Sequence, residues 1–319
     1  MTGILITGGT GSFGAAFARC ALPHLGAGDR LVIYSRDEQK QATLERELQH
    51  DALRFFVGDV RDRDRLELAM RGIDMVIHAA AMKIIPTCER DPFECVHTNI
   101  IGAENVARAA LRYGVSKVIA LSTDKAAAPL NLYGATKLAA EKLFMAANTV
   151  AAGVTHYSVV RYGNVVGSRG SVIPLFKALA REGKPLPITH PEMTRFWITL
   201  DQAVAFVLSS AQMMRGAEVF IPKLPSMRIV DLARAVEEPR DFRADFKAAE
   251  HPIIGIRPGE KLHETLLTED EARTAFELDD RYVITHRADI AKRVPEGFAY
   301  RSNTNDRWLS VAELQEMIA

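Results

Sequence analysis

Short apolar runs rich in β-branched residues recur through the first half of the chain, each cut off by a polar or glycine-bearing turn. They are Gly3–Thr7, Arg30–Tyr34, Leu53–Val57, Met75–His78 and Lys117–Leu121. Runs of that length and composition predict buried strands. Between and after them the apolar positions recur at helical spacing, predicting helices over Phe13–Leu25, about Glu94–Arg112 and Tyr133–Asn148, the last with Leu138, Leu143 and Phe144 on or near one stripe. Five strands alternating with helices predict an α/β protein built on a doubly wound parallel sheet. Beyond Asn148 we expect a sixth strand at Thr155–Arg161, a polar loop over Tyr162–Ser171 and a helix to about Glu182. The stretch Met193–Leu200 and a helix over Asp201–Met214 follow.

The turn after the first run reads Gly8-Gly9-Thr10-Gly11-Ser12-Phe13-Gly14. A glycine turn between a strand and a helix lets backbone approach a pyrophosphate and presents a helix N-terminus to it. This predicts a Rossmann-like dinucleotide site using Thr7, Gly8, Gly11, Ser12, Phe13 and Gly14. Glycines also serve ordinary loops; the flanking strand and helix give this set its meaning. The second strand ends in Ser35-Arg36-Asp37, with Lys40 one turn later. An Arg at that tip suits the 2′-phosphate of NADP, whereas a free acid suits the ribose of NAD. Ser35, Arg36 and Lys40 favour NADP, and Asp37 keeps NAD as the alternative. Asp59 is placed to accept from the adenine amino group, with Val60 beside it, and the small Ala79, Ala80 and Ala81 leave room for a cofactor across the strand ends. Asn99 falls on a buried face and needs hydrogen-bond partners. His78 reads as a packed strand end.

Strand, polar loop and helix meet again over Leu121–Lys137 (Leu-Ser-Thr-Asp-Lys-Ala-Ala-Ala-Pro-Leu-Asn-Leu-Tyr-Gly-Ala-Thr-Lys). Tyr133 and Lys137, four apart, share a helix face. An ammonium beside a phenol favours phenolate, so Tyr133 could act as a base on a hydroxyl. By itself a Tyr-x-x-x-Lys pair also arises by chance on amphipathic helices.

Composition narrows the class. With 319 residues, 48% of them hydrophobic, the chain can bury a sizeable core. Lys plus Arg equals Asp plus Glu at 40 each. Without long runs of one sign, that balance argues against nucleic acid or an anionic membrane as the main partner. Cys20, Cys88 and Cys95 lack metal-ligand or disulfide spacing and read as reduced, packed thiols. We expect no metal site, no leader, no bilayer-spanning run and a cytoplasmic location. The whole reads as a Rossmann-like domain over residues 1–162 and a smaller, mainly substrate-binding region over 163–319 that returns some segments to the sheet.

The opening Thr-Gly-Gly-Thr-Gly-Ser-Phe-Gly, then Tyr-Ser-Arg-Asp-Glu, Gly-Asp-Val-Arg-Asp, His-Ala-Ala-Ala, Ser-Thr-Asp-Lys and Tyr-Gly-Ala-Thr-Lys resemble the extended short-chain dehydrogenase/reductase superfamily. More narrowly they resemble its C5-inverting UDP-N-acetylglucosamine 4,6-dehydratases, which open pseudaminic acid biosynthesis. Arg161–Ser171, Met193–Leu200 and Gly255–Glu264 extend the likeness beyond the cofactor half, over about residues 3–235 and 252–268.

The resemblance implies a tightly bound NADP that is regenerated in every turnover. Tyr133, assisted by Lys137, would take the O4 proton during oxidation at C4, and Thr123 would bond O4. Lys125, as a neutral amine of depressed pKa, would remove H5, and Asp124 would protonate the leaving C6 hydroxyl. An Asp at a strand end also commonly caps a turn. Lys83, Asn164, Arg195, Arg257 and Glu260 are the expected substrate contacts, the arginines suiting a diphosphate. The resemblance also implies a homo-oligomer, a hexamer. Ile84 stands where that subgroup usually has His, and 236–251 matches no motif and reads as a loop or short solvated helix. Other readings are a UDP-sugar 4-epimerase, a dehydratase with added epimerase activity, and a non-catalytic NADP sensor of the same fold.

Overall fold

The computed structural model describes residues 2–168, 170–237, 251–287 and 292–319. The expected runs form β1 (Gly3–Thr7), β2 (Arg30–Ser35), β3 (Leu53–Val57), β4 (Met75–His78), β5 (Lys117–Thr123) and β6 (His156–Tyr162). Their connecting helices are α1 (Ser12–Ala21), α2 (Glu38–Leu48), α3 (Arg63–Ala69), α4 (Ile85–Arg90), α5 (Pro92–Val96), α6 (Gly102–Arg112) and α7 (Leu132–Ala151). Two expected helices are broken. The first stops at Ala21 and passes into a 3₁₀ turn over Leu22–His24, because Pro23 cannot continue the helical ladder. The helix expected from Glu94 to Arg112 is α5 and α6 joined by a π turn at His97–Ile101.

After β6 come β7 (Asn164–Val165), α8 (Val172–Arg181), β8 (Thr194–Ile198), α9 (Leu200–Met213), β9 (Val219–Pro222), β10 (Ser226–Arg228) and α10 (Ile229–Glu237). Then follow β11 (Thr265–Leu267), α11 (Glu269–Ala272), β12 (Ala275–Glu277), β13 (Arg281–Ile284), β14 (Lys292–Arg293), β15 (Tyr300–Arg301) and α12 (Val311–Ile318). Of 236–251, residues 238–250 lie outside the described residues.

The main sheet runs β14-β12-β13-β9-β6-β5-β4-β1-β2-β3. From β3 to β9 every pairing is parallel, and β13, β12 and β14 add antiparallel strands at one edge. The order reverses between β1 and β4, and right-handed crossovers on its two sides send α1 and α6 to opposite faces. Sheets of this kind bind ligands in the crevice outside that switch point. Buried Leu5, Ile6, Leu31, Ile33, Val76, Ile77, Val118 and Ile119 make the central core.

A second core lies off the sheet. Phe176, Trp197, Met227, Leu232 and Leu314 gather α8, α10 and α12 around a small sheet in the order β10-β8-β7. The large sheet thus carries one wall of the crevice and the small sheet faces it with the other. Cys88 and Cys95 are buried, but Cys20 is exposed and is not the packed thiol its surroundings in α1 suggest. No helix of the described residues is long and apolar enough to cross a membrane.

Candidate active site

A cavity of about 1420 Å³ occupies the crevice. Gly8, Gly11, Ser12, Phe13 and Gly14 form one end of it. Gly8 has φ +67°, and a Cβ there would lie 2.9 Å from the Ala80 backbone, so the turn can be this tight only with glycine. Helix α1 starts at Gly11 with no side-chain cap and no acid in its first turn. Its free N–H groups and positive end suit an anionic group such as a pyrophosphate. Ser35, Arg36, Lys40, Asp59, Val60, Ala79, Ala80 and Ala81 continue the lining.

Several expected cofactor contacts are committed to the protein. Thr7 is fully buried, shares a hydrogen bond of 2.8 Å with His78 Nδ1 and accepts from Ala80 N, so it holds strand ends together and does not border the cavity. Asn99 is used up as well: its Oδ1 accepts from Met82 N at 2.8 Å and its Nδ2 donates to Met82 O and Thr136 Oγ1. It clamps the 81–83 loop and stays off the cavity wall. Asp59 is gripped by Arg61 at 2.6 Å, which takes up the carboxylate expected to meet adenine. Asp37 caps α2 by accepting from Lys40 N and also pairs with Lys40 Nζ at 2.5 Å. That pair occupies both the acid and the second cation of the ribose end and leaves Arg36, mostly exposed and 3.8 Å from Asp59, at the tip of β2.

At the carboxyl end of β5 the chemistry is denser. Thr123 Oγ1 donates to Asp124 Oδ1 at 2.8 Å and is a hydrogen-bond partner of the Tyr133 phenol. Gly134 brings α7 against this loop; a Cβ there would stand 2.1 Å from Lys125 O. Burial pushes the Tyr133 phenol up to about 12, against the nearby Lys125 charge and the Thr123 bond, which pull it down. The cation that opposes the rise is therefore Lys125, where Lys137 was expected.

Lys137 is buried and burial lowers its ammonium to about 8, with Glu141 opposing. A folded pKa below the unfolded one costs stability in full below the lower value, and the cost fades as the pH climbs towards the unfolded value. Lys137→Met should therefore stabilise the protein by ~3 kcal/mol below about pH 8, with the gain shrinking towards pH ~10.5. Urea unfolding of both proteins across that range measures it.

Lys125 departs furthest from expectation. Burial works against its charge, but Asp124 Oδ1 at 3.0 Å and Glu264 Oε1 at 3.3 Å outweigh that and raise its pKa above the usual value. It rests as an ammonium, and a neutral amine must be made within the cycle. Asp124 is fully buried beneath it and does not border the cavity.

On the opposite wall, Lys83 and Arg257 are exposed at the rim, and the buried Oδ1 of Asn164 has no partner among the described residues. Arg195 is not the free fork expected for a diphosphate. Its Nη1 donates to Thr194 O at 2.7 Å and to Leu262 O, and its Nη2 lies 3.4 Å from Glu260, so Glu260 too is engaged.

The residue that sequence reasoning missed is Glu264. It belongs to the Gly255–Glu264 segment, where Arg257 and Glu260 drew attention because they suit a nucleotide. Only the fold brings Glu264 to Lys125. Lys261, from the same segment, borders the cavity and donates to Ala127 O at 2.6 Å.

The family described as polysaccharide biosynthesis protein matches residues 4–286. A Campylobacter jejuni protein named UDP-N-acetylglucosamine 4,6-dehydratase (inverting) is 48% identical over 332 aligned positions, spanning 99% of this chain and 96% of its own. A Rickettsia conorii protein named UDP-glucose 4-epimerase is 43% identical over 88% of this chain and 82% of its own. Among solved structures, Pen from Bacillus thuringiensis superposes with a TM-score of 0.89 at 38% identity, over 99% of this chain and 98% of that one.

Proposed function

This chain belongs to the polysaccharide biosynthesis protein family, and from that premise we propose that it is a UDP-N-acetylglucosamine 4,6-dehydratase that inverts C5. The observation that carries the reading is Lys125 on the cavity wall beside Tyr133, held between two buried carboxylates. A 4-epimerase has work for Tyr133 and Lys137 but none for such a group.

A bound nicotinamide dinucleotide supplies the hydride acceptor and donor, at the turn of Gly8, Gly11 and Gly14. The residues of the chain handle the protons and the substrate. Tyr133 takes the proton from O4, with Thr123 orienting its phenol and Lys137 supplying positive charge from the same helix face. Oxidation at C4 acidifies H5. Lys125 removes H5, and a carboxylate partner passes a proton to the departing C6 hydroxyl. With the hydride that the dinucleotide would return at C6, protonation of C5 on the other face gives the L-arabino 4-keto-6-deoxy sugar, a precursor for surface glycans such as pseudaminic acid. Asn164, Lys83 and Arg257 border the cavity and are the contacts we assign to the UDP-sugar, and Arg195 with Glu260 stiffens the wall behind them. We further propose a division at about residue 162 between cofactor and substrate regions, a cytoplasmic homo-oligomer and, from the resemblance, a hexamer.

The function is tested by giving the purified protein UDP-N-acetylglucosamine and weighing the product, expected one water lighter; a sugar nucleotide of unchanged mass rejects the dehydratase. We propose NADP over NAD because Arg36 is mostly exposed, with only a 3.8 Å contact to Asp59, while Asp37 is committed to capping α2. Arg36→Ala should weaken NADP binding roughly 10- to 100-fold, the worth of a charge-assisted phosphate bond, and leave NAD binding nearly unchanged. Calorimetric titration of the cofactor-stripped protein with each dinucleotide checks it.

A further inference from the structure

Glu264 is 1% exposed, yet it borders the cavity. Its Oε1 lies 3.3 Å from Lys125 Nζ and 3.7 Å from Arg195 Nε. Its Oε2 is buried and has no hydrogen-bond partner among the described residues. A carboxylate oxygen left bare in the interior is costly, and such groups mark places where a proton or ligand arrives. Its backbone is fixed on both sides by Ser302, which accepts from Glu264 N and donates its own N–H to Glu264 O, each at 2.9 Å. That pairing fixes the main chain from which the side chain projects towards Lys125.

Asp124, the other carboxylate on Lys125, differs in placement. Its Oδ1 already accepts from Thr123 Oγ1 and Lys125 Nζ, and although its Oδ2 is buried without a partner among the described residues, as Glu264 Oε2 is, the residue lies behind the cavity wall. Of the two, Glu264 is the one that faces the space where a sugar would lie.

We propose that Glu264 is the proton-carrying partner of Lys125 in the elimination: it receives a proton from the Lys125 ammonium and delivers it to the departing C6 hydroxyl. This rests on the dehydratase reading and deepens it. The step balances. Transfer from ammonium to carboxylate leaves a neutral amine and a carboxylic acid. The amine takes H5 as a proton, the C5–H electron pair becomes the C5–C6 double bond, and the C6–O bond breaks. The leaving oxygen takes the Glu264 proton and departs as water. Lys125 is again an ammonium and Glu264 again a carboxylate, and the O4 proton held by Tyr133 balances the one that C5 has yet to gain before the next cycle.

The surrounding charges allow this exchange. Asp124 faces Lys125 from its own turn, Tyr133 from α7, Arg195 from β8, and Lys261 with Glu264 from the 255–264 segment. Arg195 opposes the positive charge on Lys125, and Lys261 adds another cation beside it, while both also attract the Glu264 carboxylate. Asp124 Oδ1 faces Lys125 Nζ at 3.0 Å from below.

The test uses holoenzyme carrying Glu264→Gln, run beside the native protein with UDP-N-acetylglucosamine. Two signals are followed: the near-ultraviolet absorbance of reduced nicotinamide, which reports C4 oxidation, and the appearance of product one water lighter. The proposal expects reduced nicotinamide to form at a rate within about threefold of native and then accumulate, while water loss slows at least about 100-fold. Retained hydride transfer shows that the variant is folded. Glu264→Asp, which keeps a carboxylate, should recover part of the water loss. Water loss by E264Q within about threefold of native overturns the proposal. So does a parallel fall of both signals, which makes Glu264 a structural wall, or an E264D no better than E264Q. Native protein that shows neither signal rejects the dehydratase reading itself, a result distinct from any of these.

Discussion

Lys125→Met is expected to cut formation of the dehydrated sugar nucleotide by roughly a thousandfold, while C4 oxidation, which loses the cation that holds the Tyr133 phenol down, slows less and reduced nicotinamide still builds up. The reason is geometric. Lys125 is the basic group between the phenol end of the site and the acidic pair of Asp124 and Glu264, and methionine keeps the stem while removing the nitrogen. Burial of the two carboxylates without their ammonium costs stability, so melting with and without cofactor accompanies the kinetics. Rapid-mixing absorbance together with product mass makes the measurement. Equal loss of oxidation and dehydration in a folded variant would place Lys125 in the first half-reaction and contradict its assignment.

Tyr133→Phe is expected to fail one step earlier, with no reduced nicotinamide and no product, a loss of roughly 10²- to 10⁴-fold. The phenol must shed a proton to accept one from O4, and burial holds it near 12 in the protein alone. Below that value the phenolate population grows about tenfold per pH unit, so the native rate of C4 oxidation should climb with pH. In the phenylalanine variant the residual rate should be flat. A variant that still oxidises C4 with the native pH profile would mean that another group takes the proton.

Much of this site is legible from local pattern. Gly8, Gly11, Arg36, Thr123, Tyr133 and Lys137 announce themselves because each works next to a strand end that the apolar runs already mark. What pattern conceals is allegiance. Thr7, Asn99 and Lys40 have the right chemistry and the right neighbourhood, yet each spends its polar atoms on protein: Thr7 on His78, Asn99 on Met82 and Thr136, Lys40 on Asp37. Competition between a ligand and an internal partner is decided by distances that spacing along the chain does not contain. Glu264 was hidden for the opposite reason, since its partner Lys125 is 139 positions away and only the packing of the 255–264 segment on the β5 loop joins them. The raised pKa of Lys125 has a local and a long-range cause: the adjacent Asp124 contributes most of the attraction and Glu264 adds to it, against the burial that alone would depress it. The fold itself is better determined, because the order of strands follows from alternating elements and short right-handed crossovers. The antiparallel strands at the β9 edge come instead from short polar-rich tail segments whose pattern is too weak to read.

The most direct measurement is proton NMR of the product formed from UDP-N-acetylglucosamine in deuterated water by purified protein given no added cofactor. A 4-keto-6-deoxy sugar carrying one deuterium at C5, with L-arabino coupling constants, is the expected result. A C4-epimerised UDP-sugar that keeps its C6 hydroxyl and exchanges nothing at C5 would contradict it.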